Sequence, residues 1–291
     1  MQDYLVRGTG ADGMVRIKAA VTAGLVEYAR RCHNTFPVAT AALGRCLTAG
    51  CMMGVDLTGK ETITLRVLGD GPLGALVVVG EAGGTVRGYV ENPEVNLPSR
   101  DDGKIDVGRG VGQGILAVTK DLRMREPYIS QIPLISGEIA EDLTQYFWLS
   151  EQAPTAVALG VMIDKDGSVI SSGGYMVQLM PGATDELAAI IEQKLLSLPP
   201  VTELFSNKKT PEAVLELLLE GFSPVIFQPE PLSFQCNCSP ERFQRALAGL
   251  GEAELASMRE EGGAELRCHF CNRLYRFSAE ELGQLREETT D

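Results

Sequence analysis

Four cysteines near the C-terminus are the residues best suited to do chemistry: Cys236-Asn-Cys238 and, beyond a spacer from Ser239 to Arg267, Cys268-His-Phe-Cys271. Each close pair forms a two-pronged clip, and the spacer has only to bring the clips together for the sulfurs to converge on one tetrahedral site. That geometry suits zinc, which takes sulfur ligands at roughly 2.3 Å. The C-x-x-C clip is a common zinc-knuckle turn, whose backbone N–H groups point at the sulfurs and share their negative charge. The C-x-C clip is tighter. It can hold an ion, and it also puts two thiols where they can be oxidised together, although a bridge across so short a loop is strained.

Two roles are open to such a cluster. In one, zinc replaces a hydrophobic core in a domain of about sixty residues, otherwise too small to fold securely. In the other, the thiolates are also a switch: metal binding contributes on the order of 10–16 kcal/mol in small zinc domains, so an oxidant that removes the thiolates removes the fold. Spacing alone does not separate the two. His269 could ligate, but four cysteines already satisfy zinc, so a surface histidine is expected. Arg267, Arg273 and Arg276 flank the knuckle and read as compensation for the charge of a four-thiolate site rather than as RNA contacts.

Composition narrows the setting. With 291 residues, 44% of them apolar, the chain can bury a sizeable core in about two domains. A formal charge of -13 argues against nucleic acid, and the segment from Leu232 onward has no lysine. The N-terminus lacks the basic start and apolar run of a secretory signal, and no apolar run reaches membrane-spanning length. Seven cysteines in a chain read as cytoplasmic point to reduced thiols and metal rather than a disulfide framework. Cys32, Cys46 and Cys51 form no close clip and read as small apolar core residues.

The elements that must position the cluster can be read from periodicity. Met14–Val21 reads as a strand, Thr22–Cys32 as a helix and Ala39–Met53 as a second, largely buried helix. Thr62–Val67, Leu73–Val79 and Thr85–Val90 are strands of an antiparallel meander turned at Asp70-Gly71 and Gly83-Gly84. An irregular stretch from Glu91 to Val107 leads to the glycine run Gly108–Gly114 and a strand, Ile115–Thr119. That run lacks G-x-G-x-x-G spacing and is expected to serve a bulge or close backbone packing. The P-loop look-alike Gly54–Lys60 has Glu61 where a hydroxyl is needed and a strand where a helix is needed, and is rejected.

Further on, a helix is expected from Ser136 to Leu149 with Ile139, Leu143, Tyr146 and Phe147 inward, followed by a hairpin of Thr155–Ile163 and Ser168–Leu179. Glu138, Glu141 and Asp142 near that helix start have no partner base and are not read as catalytic. Thr184 caps a helix with the apolar stripe Leu187, Ile190, Ile191, Leu195 and Leu198, ended by Pro199-Pro200. Thr210-Pro211 opens another, crowded with Val214, Leu215, Leu217, Leu218 and Leu219 and ended by Gly221. These two helices are too apolar for a solvated linker and must pack on the sheet or on something competing for that surface. In the cysteine segment, Glu241–Leu250 and Glu252–Arg259 are helical in pattern, Tyr275 and Phe277 lie on a short strand, and Ala279–Arg286 is a closing helix.

The two cysteine clips, Ser136-Gly-Glu-Ile-Ala-Glu-Asp-Leu-Thr-Gln-Tyr-Phe147, Ser150-Glu-Gln152, Gly173-Gly-Tyr-Met-Val-Gln-Leu-Met-Pro-Gly182 and Glu126-Pro-Tyr-Ile-Ser-Gln131 together resemble the heat shock protein 33 family of redox-regulated holdase chaperones, along essentially the whole chain. The resemblance implies an α+β fold: an antiparallel-sheet core with packed helices (residues 1–180), a helical linker (181–231) and a small C-terminal zinc-binding domain (232–291). It implies one Zn2+ per chain on Cys236, Cys238, Cys268 and Cys271, disulfides Cys236–Cys238 and Cys268–Cys271 after oxidation, and zinc release. Unfolding client proteins are then the expected partners, without ATP, and a homodimer is expected in the oxidised form. The candidate client-binding surface comprises Leu187, Ile190, Ile191, Leu195, Val214, Leu215 and Leu218. Neither nucleic acid nor membrane is an expected partner, and no enzyme activity is expected. A zinc-ribbon nucleic-acid binder would share the cysteines but should be basic. A thiol-disulfide oxidoreductase would place Cys268-x-x-Cys271 at a helix start in a thioredoxin-like context.

Overall fold

Alternation of inward and outward side chains in Tyr4–Gly10 (β1) and Val15–Val21 (β2) makes an antiparallel pair, turned through Ala11, Asp12 and Gly13, all at positive φ. The computed structural model describes residues 2–206 and 209–285, and the chain divides into two units, Met1–Gln235 and Cys236–Asp291. β1 is absent from the sequence reading, which takes the N-terminus only as a test for a signal segment. Next comes α1 (Ala23–His33). The hydroxyl of Thr22 is occupied by Thr48 and Ser172, so Asp3 caps this helix instead, accepting from the Gly24 and Leu25 N–H groups at 3.0 and 2.5 Å. Then α2 (Pro37–Gly54) runs through the core, buried on almost every side, as an all-round small and apolar helix must be.

The strands β3 (Thr62–Gly69), β4 (Ala75–Glu81) and β5 (Thr85–Val90) form the expected meander. The glycine run differs from expectation. It begins as a short helix, α3 (Val107–Val111), because the Asp106 side chain caps the Arg109 N–H at 3.0 Å. Close backbone packing is present nonetheless: a Cβ at Gly69 would lie 1.9 Å from the Val111 carbonyl oxygen. Two strands follow, β6 (Gly114–Asp121) and β7 (Tyr128–Pro133), the second unread in the sequence.

The helix expected from Ser136 starts four residues later, as α4 (Ala140–Leu149). The buried carboxylate of Asp142 explains the delay. It accepts from the N–H groups of Ile135, Ser136, Gly137 and Ile139 at 2.8–3.4 Å, winding Ser136–Ile139 into a turn with Gly137 and Ile139 at positive φ. Glu138 pairs with Arg45 at 2.5 Å. These bonds tie both acids into the local structure.

The hairpin β8 (Thr155–Ile163) and β9 (Val169–Leu179) joins β2 through β9. Three helices then cross the outer face of that sheet: α5 (Asp185–Ser197), α6 (Val201–Ser206) and α7 (Pro211–Leu219). Thr184 and Thr210 cap α5 and α7 as read; α6, after Pro199-Pro200, was not read. The chain returns through three two-residue strands, β10 (Val225–Ile226), β11 (Glu230–Pro231) and β12 (Ser233–Phe234). The sheets are therefore β10-β1-β2-β9-β8, with β11 also on β1, and β12-β5-β4-β3-β6-β7, in which only β12 pairs in parallel, with β5. The first unit has two cores. One lies between the sheets around α2; the other lies under α5–α7, where Val6, Val15, Ile17, Ala19, Tyr175 and Val177 face outward from the first sheet. Strand period two lets one sheet supply both.

The second unit comprises α8 (Pro240–Ala248), α9 (Glu252–Glu260), the hairpin β13 (Gly263–Arg267) and β14 (Leu274–Ser278), and α10 (Ala279–Gln284). Among the described residues of this unit, β13 is the one element not read in the sequence. Arg286, the expected end of the closing helix, lies outside the described residues. The fold is α+β, with predominantly antiparallel sheets, and no helix among the described residues is long and apolar enough to cross a membrane.

Candidate metal centre

The two clips are held by different local structures. Cys236 and Cys238 immediately precede Ser239, which caps α8 through its side chain, with Pro240 in the first turn. Cys268–Cys271 forms the turn of the β13–β14 hairpin, closed by Cys268 N–H to Arg273 O at 2.9 Å and Asn272 N–H to Cys268 O at 2.8 Å, with Asn272 at φ 58. Asn is among the few side chains that tolerate this left-handed position. The second clip therefore runs into a strand and not into a helix, unlike a thioredoxin-type motif.

All four sulfurs lie within 4.8 Å of one another. Cys236 Sγ is 3.6 Å from Cys268 Sγ, and Cys238 Sγ is 3.4 Å from Cys271 Sγ. A tetrahedron with metal–sulfur bonds of roughly 2.3 Å has edges of about 3.8 Å, so the donor set fits zinc in number, type and size. Backbone N–H groups of Cys238 and Arg273 point at Cys236 and Cys271, as a knuckle requires.

The surroundings of Cys236, Cys238 and Cys271 differ. Burial raises the pKa of Cys236, to about 11, and that of Cys271, with hydrogen bonds to neighbouring thiols adding to the effect. At Cys238 burial also opposes ionisation, but hydrogen bonds from Tyr275, Cys271, Cys236 and Cys268 outweigh it and bring the thiol down to about 7. Tyr275 Oη donates to that sulfur at 3.0 Å, and its ring packs on Phe243 with centroids 4.7 Å apart. The sequence reading places Tyr275 only on a strand. Its hydroxyl contact depends on the hairpin register and is not visible in spacing.

Around the sulfurs lies a small core: Leu247, Leu255, Tyr275, Phe277 and Leu282 pack with buried Cys268. His269 is exposed, as expected. Of the flanking arginines, Arg273 acts on Cys238 and Cys271, whereas Arg276 pairs with Glu265 at 2.6 Å and Arg267 bonds Asn272. Cys46 and Cys51 are buried around α2, where burial raises the thiol pKa of Cys46 to about 12 and that of Cys51 further. Cys32 is half-buried in α1.

Within the first unit, Leu187, Ile191, Leu195, Val214, Leu215 and Leu218 all join the core beneath α5–α7; Ile190, read on the same stripe, is 47% exposed. The helix covers its sheet closely. A Cβ at Gly8 would meet Leu215 at 2.7 Å, so α7 sits directly on β1.

Comparison with known proteins agrees with this architecture. The family model described as Hsp33 protein matches residues 3–278. The chain belongs to the Hsp33 family. Among curated relatives, a protein named 33 kDa chaperonin from Desulforamulus reducens is 48% identical over 286 residues, covering 98% of this chain and 97% of that protein. Its namesake in Bacillus subtilis is 45% identical over 290 residues, covering 99% of each. The crystal structure of a 33 kDa chaperonin (heat shock protein 33 homolog) from Thermotoga maritima superposes with a TM-score of 0.94 at 38% identity, covering both chains fully. Membership of the Hsp33 family therefore extends to both units of the fold.

Proposed function

We propose that this chain is a redox-regulated, ATP-independent holdase chaperone with no enzyme activity, acting in the cytoplasm. The observation that carries the reading is the four-sulfur cluster closing a domain with so small an apolar core, in a chain whose relatives are named chaperonins. When reduced, Cys236, Cys238, Cys268 and Cys271 hold one Zn2+ as thiolates; bound zinc supplies the cross-link that such a core cannot replace. Oxidation turns the donors into disulfides and the small domain loses its fold. On the strength of the family resemblance the pairs are Cys236–Cys238 and Cys268–Cys271. The 3.6 and 3.4 Å contacts run between the clips instead, so peptide mapping after oxidation decides the pairing.

Chain continuity suggests how the loss is transmitted. Gln235, whose N–H bonds Val86 O, directly precedes Cys236. Upstream, the return from α7 is held by β10, β11 and β12, each of only two residues. Such short ladders fray once the chain beyond them is free. Segment 181–231 then releases Leu187, Ile191, Leu195, Val214, Leu215 and Leu218, together with exposed Ile190, to unfolding client proteins. A homodimer in the oxidised state belongs to the same proposal, and nucleic acid and membrane are not partners in it.

Light scattering from an aggregating, chemically denatured client, with zinc release followed in parallel, tests the reading. Suppression by the oxidised protein alone, with about one zinc released per chain, is expected. Equal behaviour of the two redox forms, or zinc retained throughout, overturns the switch.

A further inference from the structure

The hydroxyl of Tyr275 donates to Cys238 Sγ at 3.0 Å. The Arg273 guanidinium lies within electrostatic reach of the same hydroxyl. Its ring is buried, 8% exposed, against Phe243 of α8, so it cannot swing away without disturbing the small core. A cation beside a hydroxyl polarises it and strengthens the bond that the hydroxyl donates onward. We propose that Arg273 and Tyr275 form a positioning relay that restrains Cys238, strengthening its hold on the metal and slowing its oxidation.

The inference rests on the zinc reading above and deepens it. A thiolate sulfur attacks an oxidant through its lone pair, and a hydrogen bond to that sulfur withdraws the same electron density. With hydrogen peroxide, the sulfur of Cys238 attacks one oxygen, the O–O bond breaks, and the displaced hydroxide takes a proton to leave as water. A neighbouring thiolate then displaces hydroxide from the sulfenic sulfur, which leaves as a second water. Two electrons pass to peroxide and one disulfide forms. The Tyr275 hydrogen bond opposes the first of these attacks. It also fixes the direction of the Cys238 side chain, the role that outer partners play for metal ligands generally.

Tyr275→Phe keeps the ring on Phe243 and deletes only the hydroxyl. The full-length, zinc-loaded variant is compared with the unaltered protein by zinc transfer to a coloured chelator without oxidant, by zinc release under hydrogen peroxide, and by the sulfur-to-metal charge-transfer band after cobalt substitution. Expected are about 10-fold weaker zinc binding, several-fold faster peroxide-driven release and a shifted cobalt band. Arg273→Gln, on an exposed side chain, should move all three in the same direction by less, and it supplies the test if the first variant does not fold. Unchanged zinc affinity, release rate and cobalt band in the variants, with the unaltered protein binding zinc, overturn the relay alone. An unaltered protein that binds no zinc overturns the relay together with the zinc reading.

Discussion

The sheet beneath α5–α7 and the cysteine domain solve the same problem in opposite ways. In the first, a single sheet is buried on both faces: Leu5, Ala20 and Met176 face the central core, while Val6, Ile17, Ala19 and Val177 face the covering helices. Its cohesion is spread over many apolar side chains. In the second, a handful of apolar residues surround four sulfurs that lie within 4.8 Å of one another. A distributed core resists chemistry, whereas a concentrated one responds to it. The proposed function depends on joining the two in one chain.

Three experiments can break or sharpen this contrast. The largest effect is expected from Cys268→Ser with Cys271→Ser. Removing two of four donors should abolish tight zinc binding and, with it, stabilisation on the order of 10–16 kcal/mol. Circular dichroism and zinc analysis should show the second unit unfolded and, on the proposed function, segment 181–231 of the first unit loosened even under reducing conditions. Full zinc affinity in this variant would refute the ligand assignment. Next, Leu215→Ala removes a fully buried side chain from beneath α7 and should destabilise the first unit by about 2–5 kcal/mol, leaving zinc affinity unchanged. Ile190→Ala, on the exposed side of α5, should stay within about 0.5 kcal/mol. Equal losses at the two positions in denaturant titration would mean that the helices are not docked as described.

The smallest effect concerns charge. Glu27 accepts from Arg30 at 2.7 Å, and with further bonds from Arg31 and the Val169 N–H its pKa falls to about 2 despite partial burial. Because the folded value lies below the unfolded one, the contribution is complete above about pH 4.5 and is lost as pH falls towards 2. Glu27→Gln should therefore lower the first unit's stability at neutral pH and flatten its decline between those values. An unaltered acid limb would remove this bridge from the account.

Much of the framework was legible because local rules and tertiary demands agreed. The alternation of Thr62–Val67, the all-round apolar run Ala39–Met53 and the caps Thr184 and Thr210 each reappear as read. What escaped reading depended on distant partners. β1, β7 and β13 are recognisable only beside the strands they pair with, and Ser136–Ile139 is a turn rather than helix because Asp142 claims its N–H groups. Ile190 reads as part of an apolar stripe, yet helical rotation carries it past the edge of the sheet-facing arc.

Sequence alone determined the donor types at the centre, since two cysteine clips supply four sulfurs able to hold a metal ion wherever they meet. Tertiary structure decided what surrounds each sulfur. Only the pairing of β13 with β14 and the packing of Phe243 bring the Tyr275 hydroxyl to Cys238, because a hydrogen bond is specified by ångströms that spacing along a chain does not encode.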